Sequence, residues 1–314
     1  MPVPAPVVSV VIPALNAETT LPLVLEHLPP VDEVIVVDGG SADDTVAVAR
    51  EVRPDVVLVR QTRTGKGNAL ACGFAACTGD IVITLDADGS SDPGEIPRYV
   101  DALLAGAEVA HGSRYRDGGG DRAGSRGSAR GDAALNRLVN WLFGTRFTDL
   151  GHGYNAYWRD VLPALDLPAP RVPGLRRGET LWGDGPEIEP LINVRTAAQG
   201  LRVVEVASVR YPPLHGGRDE SAAPRAWRAL RVVLTEYRRR RRLDRRGEQV
   251  PAHRAPVAQD LAVPDRRPAA VTGSYLRIDV HRLPAYPAPA PRRARHAAPA
   301  DTGAHHRPEP GERR

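Results

Sequence analysis

No apolar stretch in these 314 residues approaches the roughly 20 that a membrane-spanning helix needs. The amino terminus has no basic segment followed by an apolar run, so no signal peptide is expected either. Cysteine is scarce: Cys72 and Cys77 sit in an Ala-rich segment with no partner cluster. That reads as two buried, inert thiols rather than a metal pair or a disulfide, and it suits a reducing, cytoplasmic setting. No G-x-G-x-x-G follows the first strand-like run, which disfavours a dinucleotide fold. Gly65-Lys66 lacks both the glycine spacing and the following Ser or Thr of a P-loop. A basic stripe with interleaved aromatics is missing too. From Arg238 onward there are 18 Arg against 8 Asp and Glu, so a chain of net +4 carries about −6 in residues 1–237. The positive charge belongs to the tail, and nucleic acid is not an expected partner.

What is present is a series of short β-branched runs, each ending in polar residues. Val7–Ile12, Glu33–Val37, Asp55–Val59 and Ile81–Leu85 read as strands, the first ended by Pro13. Helical patterns separate them, through Leu21–Leu28, Val46–Val52 and the Ala-rich stretch to Cys77. Strands and helices alternating at this spacing imply βαβ units and a parallel sheet with helices on its faces. Further on, a helix is expected over Ile96–Leu104 and a short strand over Glu108–His111. A mobile, Gly- and Arg-rich loop is expected over 117–132, then a helix over Leu135–Phe143 and a strand over Val203–Val209.

The polar clusters carry the chemistry. Ligands of open α/β sheets bind at the carboxyl ends of the strands. Three clusters lie there and should share one edge: Pro13 with Asn16 and Glu18, Asp38-Gly39-Gly40-Ser41, and Asp86-Ala87-Asp88. Two carboxylates at the end of a buried strand are costly unless a metal or ligand neutralises them. Mg²⁺ prefers a few carboxylate oxygens and completes its shell with substrate phosphates, so Asp86 and Asp88 suggest a metal–diphosphate site. The bland alternative is an Asp-rich turn. Asp38 can hold ribose hydroxyls or a base edge. Lys66, at a helix start, can reach a phosphate with help from backbone N–H groups. Acidic residues around 184–189 open another helix. They either suit its macrodipole or supply a general base, for which Glu187 and Asp184 are the candidates. His215, in a Gly turn after the last strand, is a candidate metal ligand.

Taken in order, Pro13-Ala14-Leu15-Asn16-Ala17-Glu18, Val37-Asp38-Gly39-Gly40-Ser41, Gly65-Lys66-Gly67-Asn68-Ala69, Leu85-Asp86-Ala87-Asp88-Gly89 and Gly112-Ser113-Arg114 resemble the inverting family 2 glycosyltransferases. Within that family the resemblance is to bacterial relatives of dolichol-phosphate mannose synthase, over residues 7–237. It implies the GT-A fold, a mostly parallel sheet flanked by helices. The donor half would span about 7–115 and the acceptor half about 133–237. It also implies a UDP- or GDP-linked sugar donor, Mg²⁺ or Mn²⁺ on Asp86 and Asp88 with His215 as a further ligand, and Lys66 and Arg114 facing the donor's phosphates or sugar. The acceptor would be a polyprenyl phosphate or a carbohydrate precursor of the cell envelope. The motif usually written Asp-Asp-Gly-Ser is Asp38-Gly39-Gly40-Ser41 here, and His215-Gly216-Gly217-Arg218 replaces a common Arg-x-x-Gly-x-Ser-Lys. Alternatives are a sugar nucleotidyltransferase and a non-catalytic nucleotide-sugar-binding protein.

Pro224–Tyr237 places Trp227, Leu230, Leu234 and Tyr237 on one helical face, followed by Arg238–Arg242. The basic segment 224–246 either packs on the core or lies on the inner face of the plasma membrane. Residues 238–314 are expected to form a disordered Arg-, Pro- and Ala-rich tail.

Overall fold

The computed structural model describes residues 5–123, 126–175, 179–214 and 222–246. The first half alternates strand and helix as expected: β1 (Val8–Ala14), α1 (Leu21–Glu26), β2 (Glu33–Asp38), α2 (Thr45–Val52), β3 (Val57–Arg60), α3 (Lys66–Ala76) and β4 (Ile81–Thr84). Then follow α4 (Ile96–Leu104), β5 (Val109–Ser113), β6 (Gly120–Asp121), α5 (Arg126–Phe143), β7 (Asn155–Trp158), α6 (Ile188–Ala198), β8 (Val203–Ala207), β9 (Val209–Arg210) and α7 (Ala222–Arg246).

Seven strands form one sheet in the order β3-β2-β1-β4-β7-β5-β8. All neighbours are parallel except β7, which runs antiparallel between β4 and β5. Side chains alternate along each strand, so Val8, Val10 and Ile12 of β1 meet one helical layer and Val11 meets the other. The first layer is α1, α2 and α4, through Leu21, Val24, Ala49, Tyr99 and Leu103. The second is α3, α5, α6 and α7, through Leu70, Val139, Ile192, Val232 and Val233. Cys72 and Cys77 are buried and free, as read from their apolar setting.

Four expectations need correction. Pro13 lies inside β1 rather than ending it, facing Val37. The last rung shared with β4 is Val11 to Thr84, so the missing proline N–H costs no bond to that strand. The loop expected over 117–132 contains β6 and the opening turns of α5. The strand expected over 203–209 breaks at the buried Ser208, which separates β8 from β9 and donates its N–H to the Ser113 carbonyl. Finally, the boundary expected at 237 falls inside α7, which continues to Arg246. Arginine favours helix, and nothing in Arg238–Arg246 breaks it. From residue 247 onward the expected tail lies outside the described residues.

On α7, Ala229, Val232, Val233 and Glu236 turn inward, while Trp227 and Leu234 are exposed. Glu236 is held by Arg195 of α6 at 3.2 Å. The helix therefore packs on the core, yet it keeps an outer apolar ridge.

Candidate active site

The parallel register brings the strand ends together. Ala14 at the end of β1 lies opposite Asp38 at the end of β2, and Asp86 follows β4 on the other flank of β1. The loops after β1 and β2 are laced to each other. The Asn16 N–H donates to Ser41 Oγ at 3.0 Å, and Asn16 Oδ1 accepts from the Ala42 N–H at 2.9 Å. The Glu18 carboxylate accepts from the Asp44 N–H. Asp38 Oδ1 accepts from the Ser41 N–H, and Gly40 takes φ +91°, a conformation side chains disfavour. Asn16, Glu18, Asp38, Gly40 and Ser41 thus shape one wall beside Pro13, with Asp38 half-buried.

Lys66 is the only lysine in the chain. Its Nζ lies 2.6 Å from Asp86 Oδ1 and 2.5 Å from Glu189 Oε1, bridging the strand edge to α6. Gly153 makes room for this bridge, since a Cβ there would lie 2.8 Å from Glu189 Oε1 and 3.2 Å from Lys66 Nζ. Burial opposes charge on Lys66, but Asp86 and Glu189 outweigh it and hold the ammonium well above its ordinary value. Burial likewise opposes charge on Asp86, and Lys66 reverses the balance, leaving that carboxyl below the usual range. Among the described residues Asp88 forms no such ion pair, and Lys66 acts on it only weakly. Burial, then the neighbouring Asp86, pushes its carboxyl up.

The Gly65-Lys66-Gly67 stretch serves packing more than phosphate capture. A Cβ on Gly67 would lie 1.8 Å from the Gly183 carbonyl oxygen, and one on Gly65 2.1 Å from that of Asp184. The N–H groups of Gly67 and Asn68 both donate to the Asp184 carbonyl. The helix-start amides expected at a phosphate are therefore already engaged. Asp184 is fully buried, and both carboxylate oxygens accept from Arg63 at 2.7 and 2.8 Å. Glu187 accepts from the N–H groups of Gly183 and Gly185. Of the acids in this segment, it is Glu189 that reaches Lys66. The sequence pattern does not separate Glu187 from Glu189, since both suit a helix start.

Arg114 is not turned toward a donor with an open hand. It is buried, and Asp149 accepts from its backbone N–H, Nε and Nη2 at 3.0, 2.7 and 2.8 Å. Asp121 and Asp132 add contacts at 3.1 and 3.4 Å. The sequence does not mark Asp149 as the partner of Arg114, because the two are 35 residues apart. Beside it, His152 is 4% exposed and bonded to Ser208 Oγ. Burial, ahead of every other influence, pushes this imidazole down to about 4 from 6.5. A base whose folded pKa is depressed contributes stability above its unfolded pKa, and that stability is lost as pH falls from 6.5 toward 4. The loss is roughly 3 kcal/mol at 1.36 kcal/mol per unit. Urea midpoints at pH 7 and pH 4.5 should therefore diverge more for the wild type than for His152→Gln; equal divergence would remove His152 from the acid response.

Asp86 and Asp88 offer the hard oxygen ligands that Mg²⁺ or Mn²⁺ takes, and the raised Asp88 carboxyl is a charge conflict that a cation would relieve. Among the described residues no group of three metal-ligating side chains gathers, so donor phosphates and water would complete such a shell. His215 lies outside the described residues. No helix among them is long and apolar enough to cross a membrane.

Comparison with known proteins decides the family. Residues 9–162 match the family model for glycosyl transferase family 2. A glycosyltransferase of Mycobacterium tuberculosis is 34% identical over 220 residues, covering 68% of this chain and 88% of that protein. The chain belongs to glycosyl transferase family 2. The polyprenol monophosphomannose synthase of Mycolicibacterium smegmatis is 38% identical over 171 residues, 51% of this chain and 64% of that enzyme. Glucosyl-3-phosphoglycerate synthase of M. tuberculosis, solved with Mn²⁺, UDP-glucose and phosphoglyceric acid, superposes with a TM-score of 0.56 at 26% identity. It covers 75% of this chain and 80% of that one. The GT-A fold and a glycosyltransferase activity follow, and the sugar nucleotidyltransferase and non-catalytic alternatives fall away.

Proposed function

We propose that this glycosyltransferase moves a sugar from a UDP- or GDP-linked donor to a polyprenyl phosphate at an anionic membrane surface. The observation that carries the reading is the pair Asp86 and Asp88 at the end of β4, on the same sheet edge as Asp38 and beside Lys66. The relative named for polyprenol monophosphomannose synthesis supports the acceptor class. The solved neighbour holding Mn²⁺ and UDP-glucose supports the donor and the ion.

In this reading Asp38 and Ser41 hold the nucleoside, and Lys66 faces the diphosphate end. An acceptor phosphate oxygen attacks the anomeric carbon, the bond from that carbon to the diphosphate oxygen breaks, and its electron pair leaves with the nucleoside diphosphate. A Mg²⁺ or Mn²⁺ ion on Asp86 and Asp88 would stabilise the charge growing on that leaving group. The acceptor is already anionic, so no base is required. For a carbohydrate hydroxyl, the carboxylate that faces the site is Glu189, while Glu187 and Asp184 are held elsewhere. Membrane contact is assigned to the exposed Trp227 and Leu234 of α7, with Trp141 of α5 and the Arg238–Arg242 run.

The test is transfer from a panel of UDP- and GDP-sugars to undecaprenyl phosphate in anionic vesicles, with flotation of the same vesicles. One donor should be used, EDTA should stop transfer, and the protein should float with the vesicles. Transfer to soluble acceptors alone, with no flotation, would refute the lipid-phosphate reading.

A further inference from the structure

Asp88 leaves the sheet on a short turn, Asp88-Gly89-Ser90-Ser91. Gly89 takes φ +71° there, and the Ser90 N–H donates to Asp88 Oδ1 at 2.9 Å. The segment 208–214 is tied to this turn at three points. Ser91 and Arg210 form an antiparallel bridge. The Tyr211 N–H donates to the Ser90 carbonyl at 2.7 Å, and the Leu214 N–H to the carbonyl of Asp88 itself at 3.0 Å. Between those two donors stand Pro212 and Pro213. Proline has no N–H, so residues 211–214 have two to give, and both go to the turn. Each proline also fixes its own φ and restricts the residue before it. Tyr211, Pro212 and Pro213 therefore have little backbone freedom, and the spacing of the two donors is nearly rigid.

The other end of the segment is anchored. Ser208 is fully buried, its N–H donates to the Ser113 carbonyl at 3.0 Å, and its own carbonyl accepts from the Gly120 N–H at 3.1 Å. The Val209 N–H donates to Glu95 Oε1 at 3.2 Å. The Arg122 N–H donates to the Arg210 carbonyl at 2.8 Å, and the Arg122 guanidinium lies 5.1 Å from the centre of the Tyr211 ring.

We infer that residues 208–214 are a stiff strap that positions Asp88 for a divalent ion, with Pro212 and Pro213 as the positioning residues that make it stiff. Small divalent ions demand near-ideal placement of their oxygen ligands, and a ligand that must first be ordered costs affinity. Asp88 sits on a turn whose glycine lends it freedom. Holding its carbonyl fixes its Cα and narrows the places its carboxylate can reach. Because the strap is fastened to β5 and to Glu95, Asp88 takes its position from the sheet that also carries Asp86.

This inference rests on the reading that Asp88 takes the ion, and the experiment separates the two. Pro212 is exposed and Pro213 half-buried, so replacing their rings removes little packing. Mn²⁺ titrations of the full chain with UDP present, followed by electron paramagnetic resonance, compare wild type, Pro212→Gly and Pro212→Gly/Pro213→Gly. Hydrogen exchange of the Tyr211 and Leu214 amides is measured on the metal-free proteins. The double variant should bind Mn²⁺ about tenfold more weakly and exchange both amides about tenfold faster, with the single variant between. Metal-free UDP affinity should not change. The single variant, altered at an exposed site, carries the comparison even where the double one is unstable. Faster exchange at unchanged Mn²⁺ affinity overturns the strap, as does weaker Mn²⁺ binding at unchanged exchange. The affinity ratio should persist in a His215→Ala background; its loss there would place the effect beyond the strap and overturn the inference too. Mn²⁺ binding by Asp88→Asn as tight as by wild type would refute the ion reading itself, and the strap's role with it.

Discussion

Asp88→Asn should lower turnover by on the order of a thousandfold, because the Lewis-acid contribution of a bound ion is several kcal/mol and 1.36 kcal/mol is tenfold in rate. The variant is nearly isosteric and keeps an oxygen for the Ser90 N–H, which Asp88 Oδ1 accepts at 2.9 Å. Its fold should survive. Removing a carboxyl that burial and Asp86 already push upward relieves a repulsion, so the melting temperature should hold or rise slightly. The neighbouring acid behaves differently. Asp86 is paired with Lys66 at 2.6 Å, and Asp86→Asn strands that ammonium on Glu189 alone, mixing a structural loss with a catalytic one. Asp88 is therefore the cleaner probe. Initial rates across a Mn²⁺ titration, with UDP affinity measured alongside, check the expectation. Turnover within tenfold of wild type at saturating Mn²⁺ would show that Asp88 is not a ligand.

The donor edge was legible because each of its parts is local. A β-branched run ending in Asp38 or in Asp86-Ala87-Asp88 states both the strand and the polar residue at its carboxyl end, and parallel crossovers then place those ends together. What the sequence hides is side-chain direction and long-range pairing. Glu187 and Glu189 are two residues apart at one helix start. Which of them meets Lys66 depends on how α6 is seated, and that is set by Ile188, Leu191 and Ile192 in the second core. Strand β7 went unread for a related reason. Asn155–Trp158 is four residues long, follows a Gly-rich stretch and runs against its neighbours, so neither length nor alternation announces it. The opening turns of α5 carry Gly127, Ser128 and Gly131, which read as loop, yet Asp132 is held by Arg114 and by the Tyr115 hydroxyl, and that tertiary tie accompanies helix where local propensity argues against it. On α7, the apolar stripe of Trp227, Leu230, Leu234 and Tyr237 left open whether that face packs on the core or lies on a membrane. The helix lies in the angle between α5 and α6, which rotates Trp227 and Leu234 outward.

The Arg114–Asp149 pair is where the largest stability effect should appear. Asp149 has no exposed surface and Arg114 only 4%, and the carboxylate also accepts from the Gly151 N–H at 3.0 Å. Burial opposes its charge, but the Arg114 guanidinium holds it well below the usual carboxylate range. An acid with a depressed folded pKa contributes stability that is present above its unfolded value near 4 and is lost as pH falls below it. Asp149→Ala removes this at all pH values and leaves Arg114 buried, with the longer contacts to Asp121 and Asp132 and the Tyr115 ring beneath it. Breaking one partner of a buried pair costs about 3–5 kcal/mol, or a melting temperature lower by roughly 10 °C for a domain of this size. The penalty comes mostly from the stranded guanidinium rather than from the pair's intrinsic strength. Asp149→Ala/Arg114→Met, which removes the unpaired charge, should therefore recover much of the lost stability. It should not recover turnover, because Arg114 is also what ties Asp121 of β6 and Asp132 of α5 to the sheet beside Lys66. Thermal melts of the two variants at pH 7 decide the matter. A double variant no more stable than the single one would mean that the network acts through packing, not through charge.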